Sequence, residues 1–326
     1  MWYRSGIIPH LIESMEENTM KKLGAALAAV LLVCLCAACG ANTAGSTSGN
    51  TSGSASAEKS AARQAEEKFE TLLKTPGNEK AALALLTENA GTWKAEKTSA
   101  LLLKLEDYQL ARVNAGDLID AKLDALLQNS GGEMIQESAL AAPEKIENAQ
   151  VRQAVTALGE RGYKIIAPEG MYQAIVDYSV YEKLADSLTP DIRAYAACMA
   201  AESKARSVED AGLLISPAEV YARAKNCETF LKNWPDSRRA AQVKTLYDGY
   251  VDDWFYGQNN TPAFGYDAGR LNDDFLESYR AAAKEKTALS DAAGKYLAVL
   301  EQNGWRLTDA VKTSRDTLTA QLKAAK

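Results

Sequence analysis

Imidazole is nearly missing from this chain: its 326 residues include a single histidine, His10. That residue lies ahead of a segment expected to be cut away, so the mature protein would carry none. Ser-His and Cys-His nucleophile activation, His proton shuttles and His metal ligands are thereby excluded. Positive charge is not in excess either, with 37 Lys+Arg against 43 Asp+Glu and a net charge of −6. No broad basic field exists to attract phosphate backbones, and nucleic acid is not an expected partner. Collagen-like periodicity and long heptad runs are lacking as well. The acidic residues Asp248, Asp252, Asp253, Asp267 and Asp274, with Asn272, do not follow the alternate oxygen spacing around a central Gly that a calcium loop needs, so no metal site is expected. No cofactor motif is found.

What is there begins with an address. After Met20 come Lys21 and Lys22, the apolar run Leu23 to Leu35, and then Cys36-Ala37-Ala38-Cys39-Gly40. Two positive charges, a short apolar stretch and small residues before a cleavage point are the parts of a secretory signal, and the run is short for a membrane span. The segment resembles bacterial lipoprotein signals, in which small residues precede an obligatory Cys. Cys39 after Ala37-Ala38 matches, whereas Cys36 stands where that family usually has Leu. The resemblance implies cleavage before Cys39, a thioether-linked diacylglycerol on it and further N-acylation in some bacteria. An ordinary signal peptide or an uncleaved anchor is the alternative. Residues 1–38 form the signal region, of which 1–19 are a long leading part or an upstream-start extension, with Met15 and Met20 as other initiators.

Residues 40–56, GANTAGSTSGNTSGSAS, hold no apolar side chain larger than Ala. Such a stretch cannot bury enough surface to offset its ordering entropy, so 39–56 is read as a lipidated Cys and a flexible linker spanning about 20 to 25 Å. Loss of residues 1–38 removes three basic and three acidic side chains and leaves the balance at −6. An acidic body gains nothing from an anionic bilayer, so membrane attachment would come from the lipid. The expected location is the outer face of the cell membrane, or the outer membrane of a two-membrane bacterium.

With 47% hydrophobic residues the remainder can build a real core. Its periodicity is helical with little strand alternation, and the expected fold is all-α, an irregular helical bundle or hairpin array. Helices are expected over Lys59–Lys74, over Trp93–Leu110 and along the stripe Leu118, Ile119, Leu123, Leu126 and Leu127. Starts are marked by Thr189-Pro190, Asn272-Asp273, Ser290-Asp291, Thr308-Asp309 and the capping box Ser216-Pro217-Ala218-Glu219. Gly162 to Met171 is the exception, a short strand or an extended crossing. The mature part up to residue 150 holds three aromatics, Phe69, Trp93 and Tyr108, and 151–326 hold nineteen. That shift suggests an N-terminal helical subdomain over 57–150 and an aromatic-rich C-terminal one over 151–326.

Val220, Ala224, Cys227 and Leu231 repeat at helical spacing, Trp234-Pro235-Asp236-Ser237 makes a turn, and Ala240, Val243, Tyr247, Tyr250 and Trp254 mark a second stripe. Two antiparallel helices follow. The unit resembles a tetratricopeptide (TPR) hairpin of the kind found in envelope lipoproteins; no second copy recurs at a fixed period, so no solenoid is implied.

The densest site candidate is the run from Asp252 to Asp267. Trp254, Tyr256, Asn259, Asn260, Phe264 and Tyr266 in it are the candidate ligand or partner contacts, since aromatics with amides can stack on and hydrogen-bond a sugar or peptide. The plainer reading is that the same aromatics fill the core while the amides satisfy helix ends and turns. Cys198 and Cys227 sit on neighbouring expected helices and are a candidate disulfide, with two buried thiols as the alternative. Glu202-Ser203 and the phrase Ala211 to Pro217 faintly resemble lytic transglycosylases, although Ile215 stands where those carry Gln; otherwise Glu202 is an exposed helix residue.

Together these features favour a tethered, non-catalytic interaction or scaffold module with an envelope protein or glycan partner. A solute- or glycan-binding lipoprotein serving a transporter is the alternative. A carboxylate-only peptidoglycan-cleaving enzyme is the remote one.

Overall fold

The structure, a computed structural model, describes residues 52–266 and 269–325. The signal region, Cys39 and most of the expected linker lie outside the described residues. Helix α1 (Ser52–Leu72) begins five residues inside the stretch read as linker and stops before Pro76-Gly77, to be followed by α2 (Glu79–Asn89) and α3 (Ala95–Ala115). Next come α4 (Ala121–Gln128), the single turn α5 (Glu137–Leu140) and α6 (Ala149–Glu160). A hairpin of β1 (Tyr163–Ile166) and β2 (Gln173–Val176) leads through the turn α7 (Ser179–Glu182) into α8 (Pro190–Lys204). The two-residue strands β3 (Val208–Glu209) and β4 (Gly212–Leu213) precede the long helices α9 (Pro217–Asn233) and α10 (Ala240–Tyr256). Strands β5 (Gly257–Gln258) and β6 (Thr261–Pro262) then give way to α11 (Asp273–Ala282), α12 (Ala288–Gln302) and α13 (Asp309–Ala324).

The fold is all-α, with three short antiparallel ribbons among the described residues. The strand expected within Gly162–Met171 forms as β1, paired with β2 from Tyr163 opposite Val176 to Ile166 opposite Gln173. Among the described residues, no helix is long and apolar enough to cross a membrane.

Local chemistry explains where the helices start. Ser216 Oγ accepts from the Glu219 amide at 3.2 Å, but the Glu219 carboxylate accepts from Arg223 Nε instead of reaching back, so only half of the expected capping box forms. A full box appears at α12, where Thr287 and Ser290 satisfy each other's amides. Ser290 is therefore the third residue of that helix and not its cap, which corrects the expected start by three residues. Thr308 caps α13 by accepting from the Val311 amide. Asn272 precedes α11 without a side-chain cap, and its side-chain amide donates to Pro262 O at 2.6 Å.

Helices α9 and α10 form the expected antiparallel hairpin. Its turn is closed by the Trp234 amide on Phe230 O and the Ser237 amide on Trp234 O, with the Phe230 and Trp234 rings 5.5 Å apart. Val220, Ala224, Cys227 and Leu231 on one helix and Val243, Tyr247, Tyr250 and Trp254 on the other are all buried. Buried apolar residues form one cluster running from Phe69 to Leu322, across the boundary expected at residue 150. At its C-terminal end Trp254 packs within 5.1 Å of the Tyr221, Phe255 and Tyr279 rings and donates through Nε1 to Ser278 Oγ at 2.8 Å. Large rings with a satisfied polar edge contribute most per residue to such a core.

A buried ion pair ties the two halves together. Glu106 on α3 accepts from Arg239 Nε at 3.0 Å and Nη2 at 2.8 Å, and from the Tyr178 hydroxyl at 2.7 Å; the Tyr195 hydroxyl donates to it as well. Burial opposes the Arg239 charge, but Glu106, Tyr195 and Asp107 outweigh it and hold the guanidinium protonated. A second such knot joins Glu79 on α2 to Arg161, two contacts of 2.9 Å, and to the Tyr163 hydroxyl on β1.

Substituting Arg239→Met should cost about 3 to 5 kcal/mol by leaving Glu106 buried and unpaired. The double variant Glu106→Gln/Arg239→Met should lose clearly less than the sum of the two single losses in urea denaturation. Strict additivity would show that the pair is not coupled.

Candidate functional site

The region around the end of α10 is set by one glycine. Gly257 ends the helix at φ +69°, and a Cβ there would stand 2.4 Å from Thr261 O, so no other residue permits the tight return of β6 on β5. Facing it, β3 and β4 turn through Asp210 and Ala211, both at positive φ (46° and 51°). A two-residue hairpin loop of this kind needs positive φ at both central positions, which Asp210 tolerates and Ala211 adopts at a cost of about 1 kcal/mol. Asn260 holds that turn from outside, its amide on Ala211 O at 2.7 Å and its side chain donating to Asp210 O. The Leu213 amide donates to Thr261 Oγ1 at 2.7 Å, completing a joint between the two ribbons.

The six candidate contact residues divide among three environments. Trp254 and Phe264 are buried and belong to the core, which corrects their expected role as surface contacts. Tyr256 leans on α13, with its hydroxyl on Asp316 at 2.8 Å and the Arg315 guanidinium 4.1 Å above its ring. Asn259, Asn260 and Tyr266 are exposed at the ribbon tips. Tyr266 is 79% exposed, and its hydroxyl donates to Asn259 O. Leu214, 56% exposed, directly follows β4 and was not anticipated. The cue for it is the turn Asp210-Ala211-Gly212, which opens the short apolar run Leu213-Leu214-Ile215 at the surface end of a ribbon. Asp267 lies outside the described residues.

Beneath the ribbons lies a buried polar group of side chains. Glu202 is buried rather than exposed on its helix, correcting the expectation. Arg223 Nη1 donates to it at 2.7 Å, the Tyr250 hydroxyl at 2.6 Å and the Ser207 amide at 3.1 Å. A carboxylate enclosed by a guanidinium, a phenol and a backbone amide is committed to holding these segments together. Asp253, one turn beyond Tyr250, is buried too: Gln258 Nε2 donates to Oδ1, while Oδ2 has no hydrogen-bond partner. Burial pushes its carboxyl up to about 7; the Gln258 bond opposes this, and the charges of Asp252 and Glu202 add to it. The neighbouring acids are engaged elsewhere, Asp248 with Lys244 and Asp252 with Lys323.

Cys198 on α8 and Cys227 on α9 are free thiols that neighbour each other across the two helices. The structure thus supplies the proximity expected of the pair but holds it reduced. Comparison with protein-family models, curated proteins and solved structures finds no match to this chain.

The Asp253 carboxyl should give stability a pH dependence of definite sign. Its folded-state pKa lies above the unfolded value of 3.8, so the folded chain binds the proton more tightly. Its contribution is fully present below about pH 4 and is lost as the pH rises through about 7, by a few kcal/mol. Asp253→Asn should therefore gain on wild type between pH 4 and 8 in paired denaturant titrations; a constant difference across that range would refute the assignment.

Proposed function

We propose that the protein is a membrane-tethered extracytoplasmic lipoprotein whose helical body is a non-catalytic interaction module, presenting the joined ribbon tips to an envelope protein. The observation that carries this reading is the left-handed Asp210-Ala211 turn fixed by Asn260, with exposed Tyr266 joined through its hydroxyl to Asn259 O, and with exposed Leu214 following the same ribbon. Strain persists where surrounding structure over-determines it, and such positions gather at contact sites. An aromatic ring, a nearby amide and an aliphatic side chain on a rigid platform suit recognition of a peptide surface. The tether follows from Cys39 after Ala37-Ala38 and the small-residue stretch behind it. The enzyme alternative has less support, because Glu202 is neutralised by Arg223 and covered.

A photo-crosslinking residue at Asn259, introduced in cells, should join the chain to a discrete protein. Tyr266→Ala together with Leu214→Ser should cut that adduct at least about fivefold, the loss of roughly 1 kcal/mol or more that interface aromatics contribute. An adduct indifferent to both changes would remove the ribbon tips from the interface, and adducts to glycan alone would favour the sugar-binding alternative. In parallel, an alkyne fatty acid should label the chain and fail to label Cys39→Ser.

A further inference from the structure

The seam between α8 and α9 holds two cross-helix pairs one turn apart. Cys198 and Glu202 are four residues apart on α8, and Arg223 and Cys227 are four apart on α9, so each helix presents a thiol and a charge on one face. Because the helices run in opposite directions, Glu202 meets Arg223 while Cys198 meets Cys227. The ion pair sets the register that places one sulfur against the other. The two sulfurs differ in access: Cys227 is buried at 1% exposure, whereas Cys198 is partly open to solvent.

We infer that Cys198 and Cys227 form a reversible disulfide locking α8 to α9, with Cys198 as the attacking thiol and Cys227 as the resolving one. The co-reactant is a disulfide of the glutathione class. The Cys198 sulfur, as thiolate, attacks one sulfur of that disulfide, the S–S bond breaks, and the first glutathione leaves as thiolate. The Cys227 sulfur, losing its proton to that leaving thiolate, then attacks the Cys198 sulfur and expels the second glutathione. Two electrons pass from the cysteine sulfurs to two glutathione thiols, which also take up the two cysteine protons. The more open Cys198 is the sulfur an external disulfide can reach, so attack begins there. The neighbouring Cys227 thiol lowers the Cys198 thiol below its ordinary value against the effect of burial, whereas contact with Cys198 and burial push Cys227 well up. This goes beyond the interaction reading and stands on the helix pair alone.

The test equilibrates the full chain with oxidised glutathione, quenches with acid, alkylates under denaturing conditions and maps peptides by mass spectrometry. Mapping separates this pair from Cys34, Cys36 and Cys39. The expected result is a Cys198–Cys227 linked peptide that dithiothreitol returns to two thiols. Cys227→Ser should retain glutathione on Cys198, and Cys198→Ser should acquire it on Cys227 at least about tenfold more slowly. Two unmodified thiols in the oxidised wild-type protein would overturn the inference, whether or not the variants fold. Equal rates for the two variants would overturn the assigned order.

Discussion

Much of this fold depends on one electrostatic constraint, the need of a buried carboxylate for a cation. Glu106 lies on the inner face of α3 among apolar neighbours, where an unpaired charge costs several kcal/mol. Arg239, just before α10, is the group that answers it, and the Tyr178 and Tyr195 hydroxyls fill the remaining acceptor positions. Four segments, α3, the end of β2, α8 and the α9–α10 turn, thereby converge on two oxygen atoms. Leucine packing alone tolerates sliding by a turn; a bifurcated guanidinium contact does not. The pair fixes the mutual placement of segments that the hydrophobic cluster only holds close.

The same device recurs at smaller scale. Glu79 with Arg161 and Tyr163 fastens the first β-ribbon to α2, and Glu202 with Arg223 and Tyr250 fastens α8 to the α9–α10 hairpin. In each knot a carboxylate takes an arginine and a tyrosine. The tyrosine-rich composition of the C-terminal part is thus partly a supply of buried donors and not only of aromatic surface. Arg206 works likewise at the surface, joining Glu137 on α5 to Glu209 on β3.

Helical content and the α9–α10 hairpin were legible because Val220, Ala224, Cys227 and Leu231 repeat at a spacing that only a helix puts on one face. Helix starts were legible where a side chain had no better partner: Thr308 caps, whereas Asn272 is drawn off to Pro262 and Glu219 to Arg223. Strand β2, Gln173–Val176, stayed hidden, since four residues are too few to separate period two from period 3.6. At the site, Asn259, Asn260 and Tyr266 emerged from composition, but an aromatic run cannot say which ring faces inward. Trp254 and Phe264 went to the core, and Glu202 is buried because Arg223, distant in sequence, waits for it.

The Glu106–Arg239 contact spans 133 positions of the chain. Synthesis from the amino end places the acid in the chain well before the base, so the seating of α3 against the entry to α10 is a non-local step of folding that closes only when both ends of this contact are present.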